Sequence, residues 1–492
     1  DGRYTRALLL VLSGVSGAVV LAFELAAARL LLPYYGSGVD VWSAVIAMTL
    51  GSLAIGYGVG GRVADRWPSL RTVGTVLLAA ALALLVVSAG GRTAALAQFT
   101  GSLTLNLGLA TLLVMLPPLV PLGMLSPLLI RRSLVAAENG GRVAGRLLAA
   151  GTAGGVCGAL ATGLLLLPRL GTSATLFALS GCTFVLAAFP FALRRRLASV
   201  ATCVLGCAAA WLLLPADSGA PVPRGARLVE RAEGLYGELT VYETASHRVL
   251  ACNGVPQTRV PLQAVPDLAA LIRGRDYVGL IPWFRPGAGS VLVVGLGAGL
   301  HANALEAAGM RVRVVEINAR VVELARRHFA LAGDVVVADA RADLQRRDQR
   351  YDAIVLDAFV GASPPEHLFT REAFELMARR LSTGGLLVVH LFDRPDGRVV
   401  RSVVRTLSAC LPHQVVLRSG FEDEVQSLYV FAAGRPLHLC RQGDLAAMGF
   451  DPNAFVKVAP AGAELLTDDR TALALLHRAA VGPLRRRVST ER

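Results

Sequence analysis

Positions 1–215 are dominated by long apolar runs, and beyond them the apolar residues fall into short stretches separated by charge and glycine. The runs lie at about 7–32, 39–61, 72–90, 101–130, 143–167, 172–193 and 197–214. Each approaches the ~20 residues that a helix needs to cross the hydrocarbon layer. They predict a multi-span α-helical membrane bundle of about seven helices, partnered by a lipid bilayer, in a multi-pass protein of the cell membrane. The first run carries Glu24 and Arg29 and precedes six more, so it reads as a span and not as a cleaved leader. Glu24 is costly in lipid, which predicts a bundle-interior position, an arginine partner or a polar path, with a purely structural role equally open. Gly56 and Gly60, like Gly154 and Gly158, have the spacing of close helix packing. Pro117, Pro118, Pro121 and Pro127 predict a broken fourth helix.

The organisation changes after position 215. Residues 216–226 have a linker's composition, rich in proline, glycine and alanine. Residues 227–286 contain short β-like runs with turn residues and predict a small antiparallel β subdomain. From 287 to 440 strands and helices alternate. Strands are expected at 291–294, 312–316, 334–338, 351–357 and 386–391, with helices from about 300, through 321–329 and near 371–381. That alternation predicts a mostly parallel, doubly wound, Rossmann-like α/β sheet. Residues 441–492 form an extension with a basic tail.

Within that domain Ser290-Val-Leu-Val-Val-Gly-Leu-Gly-Ala-Gly299 reads as a buried strand running into a glycine turn, and Val312-Arg-Val-Val-Glu316 as a second strand ending in an acid. Gly295, Gly297 and Gly299 let backbone pass close under a nucleoside. Glu316, 21 residues after Gly295, stands where a carboxylate can take ribose hydroxyls. In doubly wound sheets ligands sit beyond the carboxyl ends of the strands, where Gly295, Glu316, Asp339 and Asp357 all fall.

The net charge of +14 comes almost wholly from arginine, since Lys457 is the only lysine, and much of it lies between apolar runs. No basic stripe with interleaved aromatics appears, so nucleic acid is not an expected partner. Arg485-Arg486-Arg487 reads as a solvated terminus, with acidic lipid as the alternative. Cys157, Cys182, Cys203, Cys207, Cys252, Cys410 and Cys440 form no CxxC pair, and the histidines show no metal-ligand spacing, so no metal site is expected.

Tyr236-Gly, Asn253-Gly-Val-Pro-Gln-Thr258, Gly295-Leu-Gly-Ala-Gly299, Val315-Glu-Ile-Asn318, Ala338-Asp-Ala-Arg341, and Tyr351-Asp-Ala-Ile-Val-Leu-Asp357 with Leu368-Phe-Thr370 resemble the spermidine synthase (polyamine aminopropyltransferase) family over roughly 230–395. The amino-terminal half is similar to membrane-fused members of that family: Glu24 through Arg29, Pro33-Tyr-Tyr-Gly-Ser and Gly56-Tyr-Gly-Val-Gly-Gly-Arg-Val-Ala-Asp-Arg66 carry the likeness. The resemblance implies a variant of the S-adenosylmethionine methyltransferase-type fold, commonly as a homodimer. It also implies transfer of an aminopropyl group from decarboxylated S-adenosylmethionine to an amine, releasing methylthioadenosine. Glu316 would bind ribose, Asp339 accept from the adenine amino group, Gln257 border the sulfonium ligand, Tyr236 contact substrate, and Asp357 act catalytically on the amine.

Two departures bear on the substrate. The family carries an acid where Ala298 stands and another where Val360 stands, and losing both weakens a dication site by several kcal/mol unless other groups replace them. Glu366 and Asp393 lie near the strand-end face and read first as solvated loop carboxylates, with replacement of the lost acids as the alternative. Two other functions stay open: a methyltransferase using ordinary S-adenosylmethionine, and a nucleoside-sensing transporter or regulator without turnover. Topology adds a conflict. Placing the amino terminus and the loops at 62–71, 131–146 and 194–196 inside gathers the arginines there, against Arg92 and Arg169 outside. A full seventh crossing would then put the catalytic domain outside, whereas the supply of sulfonium nucleosides favours the cytoplasmic side.

Overall fold

A computed structural model of the chain describes residues 2–35, 39–96, 103–134, 140–193, 196–213, 222–234, 236–262, 277–361, 363–419, 426–437, 451, 454–469, 473 and 476. Much of the expected linker, residues 441–450 and the arginine tail therefore lie outside the described residues. The chain forms two compact units, Asp1–Ala220 with Glu233–Leu235, and Pro221–Ala232 with Tyr236–Arg492.

The first unit holds α1 (Gly2–Tyr35), α2 (Val39–Arg66), α3 (Leu70–Leu96), α4 (Leu103–Leu134), α5 (Gly140–Ala161), a π-helical turn Thr162–Leu166, α6 (Leu167–Ala192) and α7 (Leu197–Leu212). Among the described residues five segments are long and apolar enough to cross a membrane: Ala7–Leu32, Val41–Arg66, Leu70–Gly90, Leu105–Leu134 and Gly140–Ala192. The last carries the expected fifth and sixth spans together. They are separated at Gly171, whose φ of 78° and ψ of 175° leave the helical region. The expected seventh span is shorter than the sequence suggested. Helix α7 has 16 residues, about 24 Å at the usual rise, against a hydrocarbon layer of about 30 Å.

Small residues set the packing of this unit. A Cβ on Gly154 would stand 1.9 Å from the Gly14 carbonyl oxygen and one on Gly17 2.0 Å from that of Gly151, so α1 and α5 meet backbone to backbone. Gly56 approaches the Val120 carbonyl and Gly60 the Met124 backbone in the same way. The predicted break in the fourth helix does not occur, because α4 runs unbroken through all four prolines. Each proline removes a donor but keeps a helical φ, and α2 packs over this stretch at its two glycines. Glu24 lies half-buried in α1.

The second unit begins with a four-stranded sheet in the order β1 (Arg227–Gly234), β2 (Gly237–Glu243), β3 (His247–Cys252), β4 (Val255–Pro261). Strands β2, β3 and β4 pair antiparallel. The β3–β4 turn uses Asn253 and Gly254 at φ 51° and 75°, the two positive values that a tight hairpin demands. A 3-10 turn Tyr277–Leu280 and α8 (Ile281–Phe284) precede the larger sheet.

That sheet is built from β5 (Ser290–Val294), α9 (Leu300–Ala307), β6 (Arg311–Glu316), α10 (Ala319–His328), β7 (Val335–Val337), α11 (Ala340–Arg346), β8 (Tyr351–Leu356), α12 (Arg371–Arg379), β9 (Leu381–Asp393), α13 (Arg398–Leu407), β10 (His413–Ser419), β11 (Gln426–Ala433) and β12 (Phe455–Val456). Its order is β12-β10-β11-β9-β8-β5-β6-β7. Strands β7, β6, β5, β8 and β9 run parallel, and β11, β10 and β12 add antiparallel. Both faces of the central strands are buried. Val291 and Val293 join one apolar core, Leu292 and Val294 the other, which explains the unalternating apolar run of β5. The order reverses at β5, flanked by β6 and β8, and this switch point opens a crevice at the carboxyl ends of those strands.

The opposite edge of the same strands is pinned by Asp352. It accepts from the Gly289 and Ser290 N–H groups and the Ser290 hydroxyl, all at 3.1 Å, and from the Ser382 hydroxyl at 2.7 Å. Burial raises its pKa, but these donors outweigh burial and bring it down to about 2. Its ordinary value is near 4, so the carboxylate contributes about 2 kcal/mol that is present above that value and lost as pH falls from about 4 towards 2. Asp352→Asn should therefore melt below the parent protein at pH 6, with the gap closing as pH approaches 2. Equal gaps at both pH values, read by thermal unfolding in detergent, would contradict this.

Candidate active site

The crevice contains a cavity of about 680 Å³ lined by the glycine turn after β5, the ends of β6 and β8, and residues of the small sheet. Gly295 N–H donates to the Val315 carbonyl at 2.9 Å, and Asp357 N–H to the Val294 carbonyl at 2.9 Å. These bonds carry the three central strands to a common rim. Gly295 has φ 92°, and a Cβ there would stand 2.2 Å from the Asp357 carbonyl oxygen. Gly297 has φ 54°, and a Cβ there would stand 2.6 Å from the Thr258 hydroxyl. Both positions need glycine for conformation and for space. The Ala298 N–H donates to Thr258 Oγ1 at 3.1 Å, joining β4 to the turn.

Glu316 closes the turn from the other side. Its Oε2 accepts from the Leu296 N–H at 2.9 Å and its Oε1 from the Asn318 N–H at 2.8 Å. Each oxygen keeps a lone pair for a hydroxyl ligand. Burial raises the Glu316 pKa, against the pull of the Asn318, Leu296 and Ile317 N–H groups. Asp339 caps α11 through the Ala342 N–H at 2.9 Å and meets His367 Nε2 at 2.8 Å. Burial works against its charge, but these two partners prevail and lower its pKa. Gln257 donates to the Val255 and Gly361 carbonyls at 3.1 and 3.0 Å, which fixes its amide beside the cavity.

Asp357 ends β8 amid aromatic rings. Its Oδ1 meets His390 Nδ1 at 2.6 Å, and its Oδ2 accepts the Tyr277 hydroxyl at 3.0 Å and faces His301 Nδ1 at 3.5 Å. Burial raises its pKa, yet His390 and His301 outweigh burial and hold the carboxyl well below the usual range. Tyr277 stacks on Tyr429 with centroids 3.8 Å apart, and His390 stacks on Tyr429 at 4.7 Å.

Of the residues singled out in the sequence, Tyr236, Gln257, Gly295, Gly297, Glu316, Asp339 and Asp357 all line this cavity. Gly299 does not. At φ 82° it turns the chain into α9 with Leu331 close behind it. Glu366 is not among the lining residues either, although its neighbours Pro365 and His367 are. Asp393 is a structural carboxylate, 2% exposed, and accepts from the Arg394 and Val400 N–H groups at the start of α13. His301, His367, His390 and Tyr277 line the cavity without having been marked in the sequence. The histidines come from α9, the 3-10 turn Glu366–Leu368 and β9, so their convergence is tertiary. Only His301, two residues beyond Gly299, gave a local signal.

This glycine turn, acid-ended neighbouring strand and sheet order define an α/β domain of the methyltransferase type, and residues 291–385 match the family described as Methyltransferase domain. The polyamine aminopropyltransferase of Vibrio vulnificus (strain CMCP6) is 31% identical over 180 residues, covering 34% of this chain and 60% of that protein. The N-terminal histidine N-methyltransferase of Emericella nidulans is 29% identical over 178 residues, covering 35% of this chain and 32% of that protein. This chain thus spans less than two thirds of either of those relatives. The polyamine aminopropyltransferase of Mycobacterium tuberculosis (strain CDC 1551) is 28% identical over 469 residues, covering 83% of each. These matches support a spermidine synthase-like family for the chain.

Proposed function

We propose that the chain is a membrane-embedded spermidine synthase-like transferase that moves an aminopropyl group from decarboxylated S-adenosylmethionine to an amine and releases methylthioadenosine. The observation that carries this reading is the single cavity on which Gly295, Gly297, Glu316 and Asp339 converge with Gln257 and Asp357. Glu316 has lone pairs for the ribose hydroxyls, and Asp339 is an acceptor for an adenine amino group. The glycines let the turn close against the Asp357 backbone and the Thr258 hydroxyl, where a Cβ would clash. When bound, the sulfonium donor supplies an electrophilic carbon, and the protein's part is to align an amine with it and manage one proton. Asp357 and the groups around it stand at the end of β8 for that task.

A second reading, methyl transfer from ordinary S-adenosylmethionine, draws support from the matched methyltransferase family and from Ala298, which adds no negative charge against a methionine carboxylate. Incubating the detergent-solubilised chain with a panel of amines and either sulfonium separates the two by mass spectrometry. Methylthioadenosine, lost in Asp357→Asn, is the expected product. S-adenosylhomocysteine would instead establish the methyltransferase, and release of neither nucleoside would leave a binding protein without turnover.

The apolar helices of the first unit support a place in the bilayer, and the catalytic unit is proposed to face the cytoplasm. The arginine-rich loop at 194–196 falls on the inner side by charge, and α7, at 16 residues, is short for a further crossing. Protease added to sealed vesicles should cut the carboxy-terminal unit only when the cytoplasmic face points outward; cleavage in the opposite orientation alone would overturn this topology.

A further inference from the structure

Among the described residues three carboxylates line the cavity: Glu316, Asp339 and Asp357. In the transferase reading two of them serve the nucleoside. Glu316 is held by the Leu296 and Asn318 N–H groups, and Asp339 by the Ala342 N–H and His367. Asp357 alone remains for the acceptor. It already meets His390 Nδ1 at 2.6 Å, the Tyr277 hydroxyl at 3.0 Å and His301 Nδ1 at 3.5 Å. One carboxylate balances one ammonium. The acids closest by in sequence add nothing to it, since Glu366 is not among the lining residues and Asp393 is 2% exposed and tied to the Arg394 and Val400 N–H groups. Arg259, exposed and also in the lining, adds positive charge to the cavity.

Around Asp357 the wall is ring and hydrocarbon. Phe359 lies against Phe392 and against His390, with centroids 5.1 Å apart in both cases, and Tyr277 stacks on Tyr429 at 3.8 Å. All of these rings line the cavity, and Val360 continues the wall after Phe359. The loop that carries Phe359 and Val360 is pinned, because Val360 N–H donates to the Ser363 carbonyl at 2.9 Å and Ser363 N–H to the Val360 carbonyl at 3.1 Å. Tyr277 and Tyr429 turn a face to one another, which closes those two faces to a cation. Ser427, paired with Phe392 across β11 and β9, brings a hydroxyl to the lining but no charge. A second ammonium set against this wall would lose water without gaining a counter-charge, whereas an alkyl group there gains by leaving water.

We propose, resting on the transferase reading, that the acceptor is a monoamine whose carbon skeleton lies against Phe359, Val360 and Phe392, and that this apolar wall selects against a diamine. Its single amino group meets Asp357, and the far end of the molecule carries no charge.

The test compares n-pentylamine with the four-carbon diamine putrescine on the full-length, detergent-solubilised chain supplied with decarboxylated S-adenosylmethionine. The two amines match in length and differ in one terminal group, a methyl against an ammonium. The expected result is methylthioadenosine release with kcat/KM at least about tenfold higher for pentylamine, or ~1.4 kcal/mol. Val360→Asp puts a second carboxylate on the wall, and putrescine should then gain at least about tenfold relative to pentylamine. Equal use of the two amines by the wild type, or a preference for putrescine or a longer diamine, would overturn the proposal and leave the transferase reading intact. That comparison decides the matter alone if Val360→Asp does not fold. A folded Val360→Asp with the wild-type preference would overturn the placing of the skeleton on this wall. A wild-type chain that releases no methylthioadenosine with any of a panel of amines removes the transferase reading and the acceptor assignment together.

Discussion

Gly295 sits where three parallel strands converge, and its missing side chain is the constraint on which the catalytic unit's geometry depends. Its N–H bonds the end of β6, its Cα faces the Asp357 carbonyl at the end of β8, and a Cβ would leave 2.2 Å between them. Because β5 can turn this tightly, Glu316 reaches back to the Leu296 N–H and Asp357 emerges on the same rim. Opening that contact would separate Glu316 from the aromatic end where His390 and Tyr277 hold Asp357. The two ends of the cavity are thus set by one backbone approach.

The first unit, with its candidate membrane spans, rests on the same device used differently. Gly154 and Gly17 bring α1 and α5 into backbone contact, and Gly56 and Gly60 do so for α2 and α4. In hydrocarbon, where apolar side chains gain little by leaving lipid, such close approach is what favours one packing over others. Glycine therefore does two jobs in this chain: turning backbone at positive φ in one unit, and removing bulk between helices in the other.

Much of this was legible in the sequence because its periodicities are strong. The unbroken Val-Leu-Val-Val of β5, the glycine spacing after it and the acids at the strand ends are local patterns that marked the crevice, whereas Tyr236 and Gln257, which also line it, came from the family resemblance. What escaped was non-local or weakly patterned. Helices α11 and α13 and strands β10, β11 and β12 were not marked, although they complete the sheet and its cover. Strand β11 supplies Tyr429 and β9 supplies His390, residues 39 positions apart in sequence that stack at 4.7 Å. Asp393 is neither the solvated loop carboxylate nor the replacement acid that the sequence offered, because an acid at a strand end looks the same whether it faces water, faces a ligand or caps the next helix. Helix α7 ends at Leu212, whereas the apolar composition continues past it.

The central claim is that the crevice at β5, β6 and β8 binds an adenosyl ligand through Glu316. Titrating methylthioadenosine into the solubilised full-length chain by calorimetry tests it most directly, beside Glu316→Gln. One nucleoside per chain, with affinity reduced at least about tenfold in the variant, or ~1.4 kcal/mol, is the predicted result. No binding to the wild type, or equal binding to both proteins, would contradict it.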